Sequence, residues 1–276
     1  MNTTVILPAA GLGTRFAANG RASASKIEFE LSHKPVFLHA VGLFHGRPDV
    51  GQILLAVNPD RLDEFAFRWE DKLAFLQVEL IPGGQAERWE TVKLALEKVR
   101  SDATHIAVHD AARPSASTKM IDRLFAAAQQ LGAVVPGLPM SDTVKRVGKA
   151  AAHKPADPLD DILGSRSSPT ADARPISATI ARHDLMRAQT PQVFERDLLM
   201  RAYAGLDPVK AEGVTDDASV VEQLGETVYV IEGDPLNMKL THPNDAELLE
   251  AVLASRNEKQ AKAAAAKQLF GDEEDD

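Results

Sequence analysis

The chain contains no cysteine, which excludes disulfides and thiolate metal sites. No stretch approaches the roughly 20 apolar residues of a membrane helix. The N-terminus lacks the basic-then-apolar layout of a signal peptide, since Val5-Ile6-Leu7 is too short an apolar core for one. The compartment expected from these absences is the cytoplasm. The eight histidines form no H-x-x-x-H or H-E-x-x-H pair, so nothing points to zinc. There is also no Ser-His-Asp pattern and no nucleophile elbow. Any chemistry must then come from cations and positioning rather than from an enzyme nucleophile. A net charge of −9 speaks against a nucleic-acid partner.

The 276 residues, 44% hydrophobic and 26% charged, can bury a substantial core. Short apolar runs at 5–7, 52–57, 78–81, 105–108, 133–135 and 227–231 read as strands. Helical patterns at 35–44, 59–72, 86–100 and 118–131 alternate with them. Alternation of this kind predicts βαβ units and a mainly parallel sheet, with ligands gathered at the carboxyl ends of its strands. The pattern breaks after Gly148. Residues 149–175 are rich in Ala, Pro, Ser and Asp without sustained periodicity, which predicts a flexible insertion. On either side, "SDTVKRV" and "ISATIARHDL" read as two extended strands projecting from the main domain. The alanine-lysine run 259–267 and the acidic 271–276 read as a frayed helix with a solvated tail.

The residues after each expected strand carry the candidate chemistry. "LPAAGLGTRF" follows the first strand and lets backbone N–H groups approach an anion closely. It fails the dinucleotide pattern G-x-G-x-x-G because Phe16 stands at the third glycine, and it fails the Walker A pattern because no Gly-Lys-Ser/Thr follows. The second strand ends at Asn58 rather than at an acid suited to a ribose. What remains is a G-x-G-x-Arg loop in which Arg15 can bridge phosphate oxygens. Lys26 supplies a second cation on the segment leaving that loop. In "VHDAARP", Asp110 suits a ribose or substrate hydroxyl, or Mg²⁺, and equally suits capping a turn. Arg113 suits a phosphate or bracing of the loop, and His109 reads as a structural histidine. Thr190 precedes Pro191 and is expected to be extended. Thr215 reads as a helix N-cap, with Asp216 and Asp217 in the first turn. Lys239 falls within a short strand pattern, where a lysine is commonly an edge-strand device.

Taken in series, these stretches resemble the 2-C-methyl-D-erythritol 4-phosphate cytidylyltransferases of the non-mevalonate isoprenoid pathway. The resemblance runs from Val5 to about Leu253, interrupted at 149–175. It rests on "PAAGLGTR", Lys26 nine residues before Pro35, "GG…ER", "HDAARP", "DTVKR", "TPQVF", "TDDAS" and "NMKLT", in that order. Two departures stand out. Ser25-Lys26-Ile27-Glu28-Phe29 replaces the family's Pro-Lys-Gln before an aromatic, and the loop from Arg15 to Lys26 is longer.

The resemblance implies an α/β fold: a Rossmann-like nucleotidyltransferase with a mainly parallel twisted sheet, helices on both faces, and a protruding β-arm. It implies one domain over 1–255, including the arm at about 139–188 with the insertion 149–175, followed by a helical, acidic and disordered tail at 256–276. The implied reaction joins CTP to the methylerythritol phosphate and releases pyrophosphate, with Mg²⁺ as cofactor. Carried over by motif, Arg15 and Lys26 are the transition-state stabilisers, while Arg182, on the returning arm strand, and Lys239 orient the attacking phosphate. Asp110, Arg113, Thr143 and Thr190 are substrate contacts. Pro8, Ala9, Ala10, Gly11 and Gly13 hold the nucleotide, as does Asp110, and Gly83, Gly84 and Thr91 recognise cytosine. No dedicated metal ligands are expected; Mg²⁺ rides mainly on the CTP phosphates, with Asp110 the candidate protein contact. The arm implies a homodimer, in which Arg182 reaches the neighbouring subunit's site.

Alternatives are a ribitol-5-phosphate cytidylyltransferase-like enzyme or another sugar-alcohol-phosphate nucleotidyltransferase. From a different class come a non-catalytic nucleotide-binding regulatory protein and, weakened by Phe16, an NAD-dependent oxidoreductase.

Overall fold

The computed structural model describes residues 1–11, 16, 25–149, 173–208, 211 and 213–270, with the backbone alone at 260 and 263–270. Arg15, Gly13, most of the 149–175 insertion and the acidic run 271–276 lie outside the described residues. The chain forms two units, Met1–Gly137 with Ala188–Asp276, and Leu138–Arg187.

The strands are β1 (Thr3–Ala9), β2 (Glu30–Leu31), β3 (Lys34–Pro35), β4 (Val50–Val57), β5 (Val78–Pro82) and β6 (His105–Val108), then β7 (Ala133–Pro139), β8 (Val144–Val147), β9 (Ile176–Ile180), β10 (Met186–Ala188), β11 (Gln192–Glu195) and β12 (Tyr229–Glu232). The helices are α1 (Val36–Gly42), α2 (Leu62–Phe75), α3 (Arg88–Leu96), α4 (Thr118–Leu131), α5 (Arg196–Ala204), α6 (Asp217–Gln223) and α7 (Asp245–Phe270).

In the first unit β1 lies between β4 and β6, parallel to both, and β5 extends the parallel set beyond β4. On the other side β11 runs antiparallel between β6 and β7, and β12 pairs in parallel with β7. Strands buried on both faces read as continuous apolar runs, with successive side chains going to opposite layers. Val5, Leu7, Leu55 and Val57 enter one core layer with Phe37 of α1, Phe65 of α2 and Leu124 of α4. Ile6, Leu54, Ala56 and Val108 enter the other with Val92 of α3, Leu199 and Tyr203 of α5, and Val221 of α6. Each such fully buried large side chain contributes about 1.5–3 kcal/mol.

Local chemistry sets the element ends. Ser117 accepts from the Met120 N–H and starts α4, and Gly132, at φ +76°, ends it. The helix expected from 86 begins only at Arg88, because the Glu90 carboxylate takes the backbone N–H groups of Ala86 and Glu87 at 3.1 Å in a capping box. Asn58 caps a short 3-10 turn, Pro59–Arg61, that delays α2 to Leu62. The last strand runs 229–232 rather than 227–231.

Helix α7 is anchored where Asp245 accepts from the N–H groups of Thr241 and His242, at 2.8 and 2.7 Å. Ala246, Leu249 and Leu253 then pack on Phe16, Leu31, Val36 and Leu240. The backbone of 256–270, expected as a frayed helix leading into the acidic tail, continues this helix without a break. Among the described residues no helix is long and apolar enough to cross a membrane.

In the second unit β8 and β9 pair antiparallel, Val144 opposite Ile180 and Val147 opposite Ile176. Lys145 donates to the Thr179 hydroxyl across the pair at 2.7 Å. Most side chains of both strands are exposed or only half-buried.

Candidate functional site

Three strands of the parallel set end around one cavity of about 430 Å³ in the first unit. From β1 come Pro8, Ala9, Ala10 and Gly11 on its wall. Gly84 and Thr91 follow β5, and Asp110 follows β6. This is the carboxyl-end position where ligands gather in open α/β sheets. A Cβ on Gly83 would lie 2.7 Å from the Ala10 Cβ, so only glycine lets the end of β5 approach the glycine loop. The Gly84 N–H donates to the Thr91 hydroxyl at 3.0 Å, tying this turn to α3.

Lys26 and Lys239 also line the cavity. Lys239 lies on an irregular segment and not on the strand its pattern suggested. That segment is docked along 112–115. The Ser115 hydroxyl donates to the Leu236 carbonyl at 2.7 Å, the Leu240 N–H to the Ala112 carbonyl at 2.8 Å, and Arg113 to the Asn237 carbonyl at 2.9 Å. Backbone hydrogen bonds to a loop replace a sheet ladder, which is why a strand pattern yields none here.

Asp110 is buried and faces three cations: Lys239 at 2.8 Å, Arg113 at 3.2 Å and Arg88 at 3.5 Å. Burial alone would raise its pKa, but Lys239, Arg88 and Arg113 outweigh burial and hold it well below the usual carboxylate range. Its backbone also makes the turn, the Arg113 N–H donating to its carbonyl. Charge pairing and turn formation thus occur together. His109 is fully buried against Phe44, bonded to the Arg113 carbonyl and the Thr190 hydroxyl. Burial pushes its pKa down to about 4, so it is a neutral structural residue. The Thr190 hydroxyl also accepts from the Asp110 N–H at 3.0 Å. Thr190 and Arg113, expected as substrate contacts, therefore brace the Asp110 loop and do not line the cavity.

Arg88 lines the cavity and was not among the candidates. It pairs with Asp217 at 2.8 Å. Burial disfavours its charge, but Asp217 and Asp110 outweigh this and raise its pKa. Asp217 is 0% exposed and accepts from the Tyr203 hydroxyl at 2.6 Å. Its role is not capping: Asp216, rather than Thr215, is the N-cap of α6 and accepts from the Ser219 N–H. The "GG…ER" stretch pointed at Arg88, but nothing local in the sequence marks Asp217 as its partner.

Arg182 and Thr143 belong to the second unit. Arg182 lies beyond the end of β9, not on the strand, and donates to the Ser141 carbonyl. Among the described residues no group of three His, Cys, Asp or Glu side chains could hold a metal ion. Asp110, the candidate Mg²⁺ contact, is a poor one because three cations already face its two oxygens.

A wall formed by residues 8–11, with Lys26 and Lys239 lining the same cavity, suits a phosphorylated ligand. The family described as IspD, 2-C-methyl-D-erythritol 4-phosphate cytidylyltransferase, matches residues 3–157 and 149–255. A protein of that name from Acidobacterium capsulatum is 37% identical over 93% of this chain and 99% of its own length. One from Solibacter usitatus is 34% identical over 92% and 96%. A crystal structure of a 4-diphosphocytidyl-2C-methyl-D-erythritol synthase superposes with a TM-score of 0.67 at 32% identity, covering 91% of this chain and 97% of that one.

Proposed function

The chain belongs to the 2-C-methyl-D-erythritol 4-phosphate cytidylyltransferase family, and on that premise we propose that it joins CTP to 2-C-methyl-D-erythritol 4-phosphate. The products are 4-diphosphocytidyl-2-C-methyl-D-erythritol and pyrophosphate. An oxygen of the substrate phosphate attacks the α-phosphorus of CTP, a new P–O bond forms, and the bond to the bridging β-phosphate oxygen breaks. A phosphate monoester is already anionic near neutral pH, so no side chain need remove a proton. The enzyme's part is to align the two phosphates and to stabilise charge on the equatorial oxygens and the leaving pyrophosphate.

The observation that carries this reading is that Lys26 and Lys239 line one cavity with Pro8, Ala9, Ala10 and Gly11. In this reading Lys26 and Arg15 stabilise the α-phosphate, Lys239 orients the attacking phosphate, Arg182 serves the neighbouring subunit's site, and Gly84 and Thr91 frame the base. Magnesium would neutralise charge on the triphosphate, and Asp110, already faced by three cations, would not hold it. The enzyme works in the cytoplasm as a homodimer. The exposed faces of β8 and β9 favour a partner, since a two-stranded pair is marginal in water by itself; a monomer by light scattering across micromolar concentrations would contradict the dimer.

The direct test incubates purified protein with CTP and either 2-C-methyl-D-erythritol 4-phosphate or ribitol 5-phosphate, reading pyrophosphate. Release with the first acceptor is expected. Release with ribitol phosphate alone would reassign the acceptor, and CTP binding without release from any polyol phosphate would leave a regulatory protein.

A further inference from the structure

Glu28 is an acid buried where the reaction has no use for one. Its side chain is 3% exposed and it does not line the cavity. Both oxygens are occupied from α2 and the turn before it: Arg61 donates to one at 2.9 Å, and Arg68 and Trp69 donate to the other at 2.7 and 3.2 Å. Trp69 is itself wedged edge-on against Phe37, with ring centroids 5.3 Å apart. An ion pair of this depth is weak evidence for stability, because well-packed apolar residues commonly do as well. What a carboxylate with three directed donors supplies is a fixed position.

The position it fixes is that of the 3-10 turn Lys26–Glu28. Ile27, the middle residue, is buried in the core layer that holds Ala9 and Phe37. Lys26, the first, lines the cavity. The turn is therefore pinned on one side by apolar packing and on another by the Arg61–Arg68–Trp69 clamp. Ser25 before it makes no side-chain cap bond, and it lacks the φ restriction that a proline would bring at that point. Glu28 supplies from behind the rigidity that Ser25 does not supply from in front.

We propose that Glu28 is a positioning residue, whose clamp to Arg61, Arg68 and Trp69 holds the Lys26 turn so that the lysine stays at the cavity wall. This rests on the reading of Lys26 as a phosphate-stabilising cation. The test is a double-mutant cycle on the full chain with Glu28→Ala, Lys26→Ala and the pair, measuring kcat, KM for CTP and the unfolding midpoint.

Glu28→Ala is expected to fold and to lose about 10- to 100-fold in kcat, as a displaced catalytic group does, with KM for CTP within about threefold. The double variant should turn over no more slowly than Lys26→Ala alone, since Glu28 acts only through Lys26. Near-normal kcat in Glu28→Ala, or a double variant slower by the full Glu28→Ala factor, would overturn the proposal while leaving Lys26 its role. Normal turnover in Lys26→Ala would instead remove the reading beneath it. Should Glu28→Ala fail to fold, Glu28→Gln, which keeps the shape and one acceptor, is put through the same cycle. It must show a smaller kcat loss that again vanishes without Lys26; an additive loss would count against the proposal.

Discussion

Lys26 and Lys239 reach the same cavity by different supports, one on a turn clamped from behind and the other on an irregular segment paired to Asp110. If Lys26 and Arg15 act on the α-phosphate, Lys26→Ala and Arg15→Ala should each lower kcat by about 10²- to 10³-fold with the thermal unfolding midpoint little changed. Near-normal turnover in either variant would remove that residue from the chemistry. Arg88 belongs to a different class, since its charge is partnered by a fully buried Asp217. Arg88→Met should strand that carboxylate and destabilise the fold by about 3–5 kcal/mol, read as an earlier urea midpoint at unchanged m-value. At this scale the sequence is informative where the cavity lining sits next to strand ends. Asp110, Gly84 and the Pro8–Gly11 loop were legible because "HDAARP", the paired glycines and "PAAG" each follow an apolar run. The Arg88–Asp217 pair was not legible: an acid in the first turn of a helix looks the same whether it caps, solvates or balances a remote arginine.

The helix opened by a capping serine and closed by a glycine matches its expected limits best. Helix α4 runs over 118–131 as anticipated, because Ser117 opens it and Gly132 closes it in a conformation that disfavours any side chain. Gly132→Ala should therefore cost about 1–2 kcal/mol. Leu124→Ala, in the buried stripe of the same helix, should cost about 2–5 kcal/mol; both are measured by equilibrium denaturation, and reversal of that order would contradict the packing described. Helix α3 was misjudged because its start depends on a Glu90 carboxylate reaching back to Ala86 and Glu87, which periodicity does not encode. The segment around Lys239 was misjudged for the opposite reason. Its alternation is real, but its hydrogen bonds go to the 112–115 loop and not to a neighbouring strand.

For the whole molecule, acid is the informative stress. His109 has its pKa lowered to about 4 by burial, and burial also lowers His39 and His105. As pH falls below about 6.5 the unfolded chain takes up these protons first, so stability declines until the folded pKa is reached. His109 alone accounts for about 3 kcal/mol between pH 6.5 and 4. Asp110 acts in a separate window: its lowered pKa adds stability that begins to be lost only below the ordinary aspartate range. Urea midpoints at pH 7.5 and pH 5 should differ accordingly, and a flat profile would contradict a neutral buried His109. The third apolar cluster has an effect that reaches beyond packing. Leu249 and Leu253 of α7 rest on Leu31 and Leu240, with Phe29 and Met238 flanking. One strip of helix thus spans the two chain segments that carry the cavity's lysines, and acts as a calliper between them. The gap between two ammonium ions is then braced from outside the pocket, by a C-terminal helix none of whose described residues lines the cavity.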